Sequence, residues 1–370
     1  MKKVLFLIHD LGPGGAEKVL VNLVNHMDRS RFDITLMSLF DEGVNKQSLS
    51  PEIRYLSAFP KAFPGNSRLM KAFSPRFLYK SLIREPYDIL VSYLQGPCTR
   101  IIAGCSDPKI KKAAWVHTAF RNSSHASIGF RSLKEAESCY RVMDRVVFVS
   151  EGIREAFYHY YPNLPEGSVL YNTILRDEIL QQASEPIKEP KPREGSFTWC
   201  SVGKLDEVKG QIHLLSVQKK LLEAGVPAEL WIIGEGPLRG QLEENCRSLG
   251  IEDTVHLPGF RKNPYPYMKR AECYACSSLT EGFSSTAAEA LILGLPICTY
   301  PVSGMREMLG SNNEYGIITE ADENSLFRAV YSLASDAALR NHYRERAAER
   351  GKMFETQRTV RSVEDMLETL

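Results

Sequence analysis

Short apolar runs alternate with amphipathic stretches along the whole chain. The run Val-Leu-Phe-Leu-Ile-His at 4–9 precedes a stretch with helical spacing from Gly14 to Met27. Further runs at 32–40, 53–59, 87–94, 112–118 and 146–150 read as strands, with helical spacing between most of them, and 169–172 closes the set. These runs are nearly continuous in apolar character rather than alternating, the pattern of parallel strands covered by helices on both faces. At 176–195 the pattern breaks: the segment is polar and holds Pro186, Pro190 and Pro192 within seven residues, which reads as a linker or solvated crossing. A second alternation follows, with strand-like runs at 197–205, 228–234, 254–260, 273–278, 296–301 and 315–319. The remainder is helical in spacing, ending in a helix over 356–370. The pattern therefore predicts an α/β protein of two doubly wound Rossmann-like domains, 1–175 and 196–355. In such sheets ligands bind outside the carboxyl ends of the strands, so a cleft between two facing edges is the expected site.

Composition narrows the class. The chain has 370 residues, 43% hydrophobic and 25% charged, as in ordinary globular domains. No apolar run reaches the ~18 residues of a membrane span. Lys2 and Lys3 precede an apolar run that stops at His9-Asp10, too short for a signal core, which places the protein in the cytoplasm. The net charge of +1 gives no reason to expect nucleic acid as a partner. The total hides an asymmetry, because residues 1–175 hold 23 basic and 16 acidic side chains, leaving +7 there and −6 in the rest. Much of the excess lies in 61–84, where Lys61, Arg68, Lys71, Arg76, Lys80 and Arg84 occur with no acid and with interleaved Phe63, Leu69, Met70, Phe73, Phe77, Leu78, Leu82 and Ile83. Such a segment suits an anionic membrane surface, or is a solvated basic helix with an ordinary core face. The eight scattered cysteines read as free thiols. Cys273-Tyr-Ala-Cys276 lies in a strand-like run, where its two thiols point to opposite faces, and reads as core rather than a metal or redox site.

Three segments carry candidate chemistry. The first strand runs into Asp10-Leu-Gly-Pro-Gly14-Gly15-Ala-Glu17 and then a helix, a turn in which backbone can approach an anionic ligand. Glu17 stands where a dinucleotide fingerprint has its third glycine. Lys204 and Lys209 flank the start of a helix near Gly210, as two cations at a diphosphate would, or as solvated loop lysines. In Thr280-Glu281-Gly282-Phe283-Ser284-Ser-Thr286-Ala-Ala-Glu289, a polar loop leads into an apolar helix that stops at Gly294 before Pro296. Its N–H groups suit a diphosphate and its carboxylates suit hydroxyl groups. Thr286-Ala-Ala-Glu289 also reads as a capping box, in which Glu289 would only satisfy the helix start.

Together these segments, with Ile232-Ile-Gly-Glu-Gly-Pro-Leu238, resemble the family-4 retaining glycosyltransferases of the GT-B fold, over almost the whole chain. Ser303-Gly-Met-Arg-Glu-Met-Leu309 and Tyr315-Gly-Ile-Ile318 are similar to those that build bacterial capsular and other surface polysaccharides. The resemblance implies the following roles. Gly14 and Gly15 approach donor phosphate and acceptor. Lys204 and Lys209 bind the diphosphate. Glu281 accepts from donor-sugar hydroxyls, and Gly282, Phe283 and Ser284 present N–H groups. Glu289 holds the ribose. Gly234, Pro237, Leu238, Leu257 and Phe260 line the base pocket, and His117 positions the sugar, although a histidine at a strand end is equally a core residue. It further implies a nucleotide-sugar donor, UDP-linked by preference, a lipid-linked or glycan acceptor, transfer with retention and peripheral association with the inner face of the plasma membrane. The helix 356–370 would cross back to the N-terminal domain. No Asp-x-Asp occurs, so neither a metal nor another cofactor is required by sequence. Lys204 replaces a more usual arginine, losing its fork, and Thr173 and Ser284 stand where the family often has other residues. A sugar-nucleotide epimerase and a non-catalytic partner subunit are the alternatives.

Overall fold

The computed structural model describes residues 1–120, 122–187 and 193–370. The chain forms two compact units, one of Met1–Thr173 with Thr356–Leu370, the other of Ile174–Glu355.

Unit 1 is built on a seven-stranded parallel sheet. Its strands are β1 Lys2–Ile8, β2 Phe32–Phe40, β3 Arg54–Phe59, β4 Ile89–Ser92, β5 Lys111–Val116, β6 Arg145–Phe148 and β7 Ser168–Val169, in the order β3-β2-β1-β4-β5-β6-β7. Central β1 is apolar from Val4 to Ile8, all of them 0% exposed, because helices cover both faces of the sheet. Val4 stands opposite Ile34 of β2 on one side and Ile89 of β4 on the other. The C-terminal helix Thr356–Thr369 belongs to this unit. Arg31 binds Glu364 at 2.9 Å and Glu368 at 2.7 Å, and Lys2 Nζ donates to the Leu367 and Glu368 carbonyls.

Unit 2 holds a six-stranded parallel sheet of β8 Phe197–Val202, β9 Ala228–Ile233, β10 Val255–Gly259, β11 Cys273–Cys276, β12 Ile297–Thr299 and β13 Ile317–Ile318, ordered β10-β9-β8-β11-β12-β13. Its core surrounds Trp199, whose indole N–H donates to Gln218 Oε1 at 2.8 Å. All eight cysteines of the chain are buried free thiols, Cys273 and Cys276 among them.

The linker expectation needs correction. Arg176–Gln182 is a helix of unit 2, with Ile179 and the adjoining Ala183 each 2% exposed. Its polar residues are the solvent side of a short amphipathic turn pair. The rest of the expected linker includes residues 188–192, which lie outside the described residues.

In both sheets the strand order reverses beside the first strand, between β1 and β4 in unit 1 and between β8 and β11 in unit 2. Loops leaving such neighbours diverge to opposite faces and open a crevice at the carboxyl edge.

Candidate functional site

In unit 2 the reversal is bridged by side chains. The loop after β8 ends in a 3-10 turn, Glu207–Lys209, capped by Asp206, whose Oδ1 accepts from the Lys209 N–H at 3.1 Å. From the loop after β11, Glu281 meets it: Lys209 Nζ donates to Glu281 Oε1 at 2.6 Å, and Ser278 Oγ donates to the same oxygen at 2.6 Å. The lysine side chain is 31% exposed and the glutamate 11%, so the pair stands in a partly desolvated place. Burial pushes the Lys209 ammonium down, but the Glu281 charge and its hydrogen bond outweigh burial and hold it above its ordinary value, so it stays charged.

Gly210 makes this approach possible. It has φ +60°, and a Cβ there would stand 2.4 Å from the Ser277 carbonyl oxygen, while Ser277 Oγ donates to the Lys209 carbonyl at 3.0 Å. Gly210→Ala should therefore cost about 2 kcal/mol in chemical denaturation, the sum of left-handed strain and displaced backbone. It should also lower activity, whereas Ala at exposed Gly240, whose Cβ would meet nothing within 4 Å, should do neither.

The helix Ser285–Ile292 starts beside this pair. Ser284 is its N-cap, with Oγ accepting from the Ala287 N–H at 3.3 Å, so that of the first turn the Ser285 and Thr286 N–H groups are the ones without an intrahelical acceptor. The capping-box alternative fails on this geometry: Thr286 is inside the helix, and the third helical position is Ala287. Glu289 instead accepts from Tyr265 Oη at 3.0 Å; Glu289 is 6% exposed and Tyr265 5%. Phe283 is buried and packs edge-on against Phe354, which holds the Gly282–Ser284 turn.

The other expected residues of unit 2 divide. Gly234 follows β9 where a Cβ would strike the Gly203 carbonyl at 1.9 Å, and its N–H donates to the Gly259 carbonyl at 3.1 Å, so the loops after β8, β9 and β10 are stitched together. Leu238 adds a bond to the Leu205 carbonyl at 3.1 Å. Pro237 and Phe260 are exposed at this edge, Phe260 by 59%. Leu257 is half-buried, with its side chain packed against the unit's hydrophobic core. Lys204 is not drawn into the Lys209–Glu281 contact. It is 67% exposed, with Nζ 3.8 Å from Asp206.

In unit 1, the glycine-rich turn follows β1 and His117 follows β5, both at the carboxyl edge. Gly14 caps the helix Gly15–His26, and Glu17 folds back so that a Cβ on Gly14 would stand 2.2 Å from Glu17 Oε2. Burial pushes the Glu17 carboxyl up. Asp10, unflagged by sequence reasoning beyond its place in the turn, is held down by its bond to His9 at 2.7 Å, against burial, with the Gly12 N–H assisting. His117 is 8% exposed, packed on Tyr93 with ring centroids 4.9 Å apart, and its Nε2 has no hydrogen-bond partner among the described residues. Burial lowers its pKa to about 4, against a bond to the Tyr93 backbone, so the ring is neutral at pH 7. A group whose pKa falls on folding stabilises the fold above its unfolded value and opposes it below. His117 should therefore cost on the order of 3 kcal/mol as pH drops from about 6.5 to 4. Urea midpoints across that window should show the loss, and His117→Gln should flatten it.

Among the described residues, no group of three or more His, Cys, Asp or Glu is placed to hold a metal ion, and no helix is long and apolar enough to cross a membrane.

With this geometry in hand, comparison with known proteins is specific. Residues 13–174 match the family model Glycosyltransferase Family 4, and residues 183–350 match Glycosyl transferases group 1. A Campylobacter jejuni relative, N-acetylgalactosamine-N,N'-diacetylbacillosaminyl-diphospho-undecaprenol 4-alpha-N-acetylgalactosaminyltransferase, is 28% identical, with 98% of each chain covered. Among solved structures, Anabaena HepE in complex with UDP superposes with a TM-score of 0.78 at 18% identity over 100% of both chains. WaaG, a glycosyltransferase involved in lipopolysaccharide biosynthesis, gives 0.74 at 16% identity over 98% of this chain and 99% of that one. The fold is GT-B, with a Glycosyltransferase Family 4 domain over 13–174 and a Glycosyl transferases group 1 domain over 183–350.

Proposed function

We propose that the protein transfers a hexosyl or N-acetylhexosaminyl group, with retention, from a UDP-linked sugar to a lipid-linked or glycan acceptor during assembly of a bacterial surface polysaccharide. The observation that carries this reading is the Lys209–Glu281 pair across the β8/β11 reversal, beside the helix start that leads to Glu289. Relatives add support: the Campylobacter enzyme's name gives it a diphospho-undecaprenol substrate, and HepE was solved with UDP.

In this reading the diphosphate sits at the helix start, Lys209 meets the charge that develops on it, Lys204 swings in from solvent, and Glu289 holds the ribose. Glu281 exchanges part of its contact with Lys209 for donor-sugar hydroxyls. The bond from the anomeric carbon to the diphosphate oxygen breaks, and the acceptor oxygen bonds to that carbon on the same face. The acceptor's proton passes to the departing diphosphate oxygen. His117, a neutral ring, orients the sugar rather than taking a proton. The lysines and the helix start supply the electrostatic stabilisation in place of a divalent ion. Unit 1 takes the acceptor, and its basic face rests on the inner leaflet of the plasma membrane.

The test is incubation of the protein with UDP-sugars, singly, with and without an undecaprenyl-diphosphate-linked sugar, in buffer with EDTA. Acceptor-dependent UDP release and the small H1–H2 coupling of an equatorial anomeric proton, as in an α-linked product, are expected. Change of the donor alone, with no acceptor, would make the protein an epimerase; inversion at the anomeric carbon would overturn the retaining mechanism.

A further inference from the structure

The basic segment of unit 1 does not behave as one amphipathic helix. It folds into two short helices, Asn66–Ala72 and Pro75–Leu82, that sort its apolar residues. Met70, Leu78 and Ile83 are buried in the unit. Leu69, Phe73 and Phe77 are not: they are 50%, 40% and 52% exposed, four residues apart, and the two phenylalanines stack with centroids 4.9 Å apart and planes 19° apart. The angle at which such exposed rings are presented depends on how firmly the backbone beneath them is held.

Here it is fixed. Arg100, 1% exposed, donates to the Met70 carbonyl at 2.8 Å and the Phe73 carbonyl at 2.7 Å. Arg131 donates to the carbonyls of Lys71 at 2.6 Å, Ala72 at 2.8 Å and Phe73 at 3.1 Å. Glu135 joins the two arginines, accepting from the Arg100 side chain at 2.9 Å and from the Arg131 N–H at 2.6 Å. Five bonds thus hold four consecutive carbonyls at the point where the first helix ends and Phe73 emerges. The charge of Arg100 is met by Glu135 inside the unit, so this clamp takes nothing from the surface field.

Around the ridge the cations are unmatched. Arg68, Lys71, Arg76, Lys80 and Arg84, with Lys61, have no carboxylate within 4 Å among the described residues, although other surface cations of the unit, such as Arg54 with Glu85, are paired.

We propose that Leu69, Phe73 and Phe77 form a rigid wedge that enters the headgroup region of an anionic bilayer, held at a fixed angle by the Arg100–Arg131–Glu135 clamp. This rests on the membrane association proposed above and adds insertion to it. The charge asymmetry selects the occupant: unpaired cations interleaved along the chain with exposed aromatic rings complement anionic headgroups over a shallow apolar layer. A preformed wedge also loses little conformational freedom on binding.

The experiment uses F77W as a reporter, with vesicles of phosphatidylglycerol and phosphatidylcholine or of phosphatidylcholine alone, and lipids brominated near the headgroup. Flotation reads association, and quenching reads insertion. We expect a blue-shifted, quenched indole on anionic vesicles. A Phe73→Ser/Phe77→Ser variant with otherwise unchanged cations should lose at least about tenfold in vesicle affinity at physiological salt. Flotation without quenching, with the double variant binding as well as wild type, would leave a purely electrostatic contact and overturn the wedge alone. Absence of flotation even at low salt would overturn membrane association itself. A concentration-dependent blue shift without vesicles would assign the ridge to contact between copies of this chain and overturn the proposal.

Discussion

Lys209→Ala should lower kcat by roughly a hundred- to a thousandfold, the range for removing one group that stabilises charge developing in a transition state. The lysine is already charged and already placed: its ammonium is 2.6 Å from Glu281, and Asp206 fixes the turn beneath it. That preorganisation is why the effect should appear in kcat rather than in KM. A structural role predicts something else. Loss of the ion pair leaves Glu281 with Ser278 as a donor, and should cost on the order of 1 kcal/mol in a denaturation curve. Glu281→Gln separates the two, since it removes the carboxylate charge while retaining an oxygen that can accept from Lys209 and Ser278. If Lys209→Ala keeps wild-type kcat while losing stability, the pair only ties two loops together.

How much of this was legible in the sequence follows from the range of each interaction. The strands were, because a parallel sheet covered on both faces demands runs such as Val4–Ile8 and Ala228–Ile233 that are apolar at almost every position. The helix Arg176–Gln182 was not, because one turn pair burying little more than Ile179 leaves no period to read before the prolines begin. The helix start at Ser284 was ambiguous locally: Ser284, Ser285 and Thr286 can each cap, and in the fold it is Ser284 whose Oγ accepts from the Ala287 N–H. Lys209 and Glu281 could be named by motif, but their contact joins residues 72 apart. Nothing local marks Tyr265 in Asn-Pro-Tyr-Pro-Tyr, since its partner stands 24 residues on. The clamp was equally hidden. A lone arginine in the apolar stretch Pro97–Ile102 was its one sequence signal, because a charge at a buried helical position needs a partner somewhere.

Glu289→Gln should weaken UDP binding by about tenfold to a hundredfold, the value of a hydrogen bond to a charged group. It should weaken binding of a 2′,3′-dideoxy analogue far less, because the proposed contact is with the ribose hydroxyls. With the capping-box role removed by the position of Ser284, the glutamate's known partner is Tyr265, whose hydroxyl fixes the carboxylate within a buried helix. Tyr265→Phe should thus reproduce a fraction of the loss, about fivefold on UDP, with little effect on the dideoxy analogue. The pair is in direct contact, so the double variant should fall short of the product of the single losses. A titration of the three variants against both nucleotides decides the matter. Equal losses on UDP and the dideoxy analogue would make Glu289 and Tyr265 a structural hydrogen bond of the second sheet's edge, with the ribose held elsewhere. Losses confined to UDP and non-additive between the two residues would make the tyrosine the group that aims the carboxylate at the ribose.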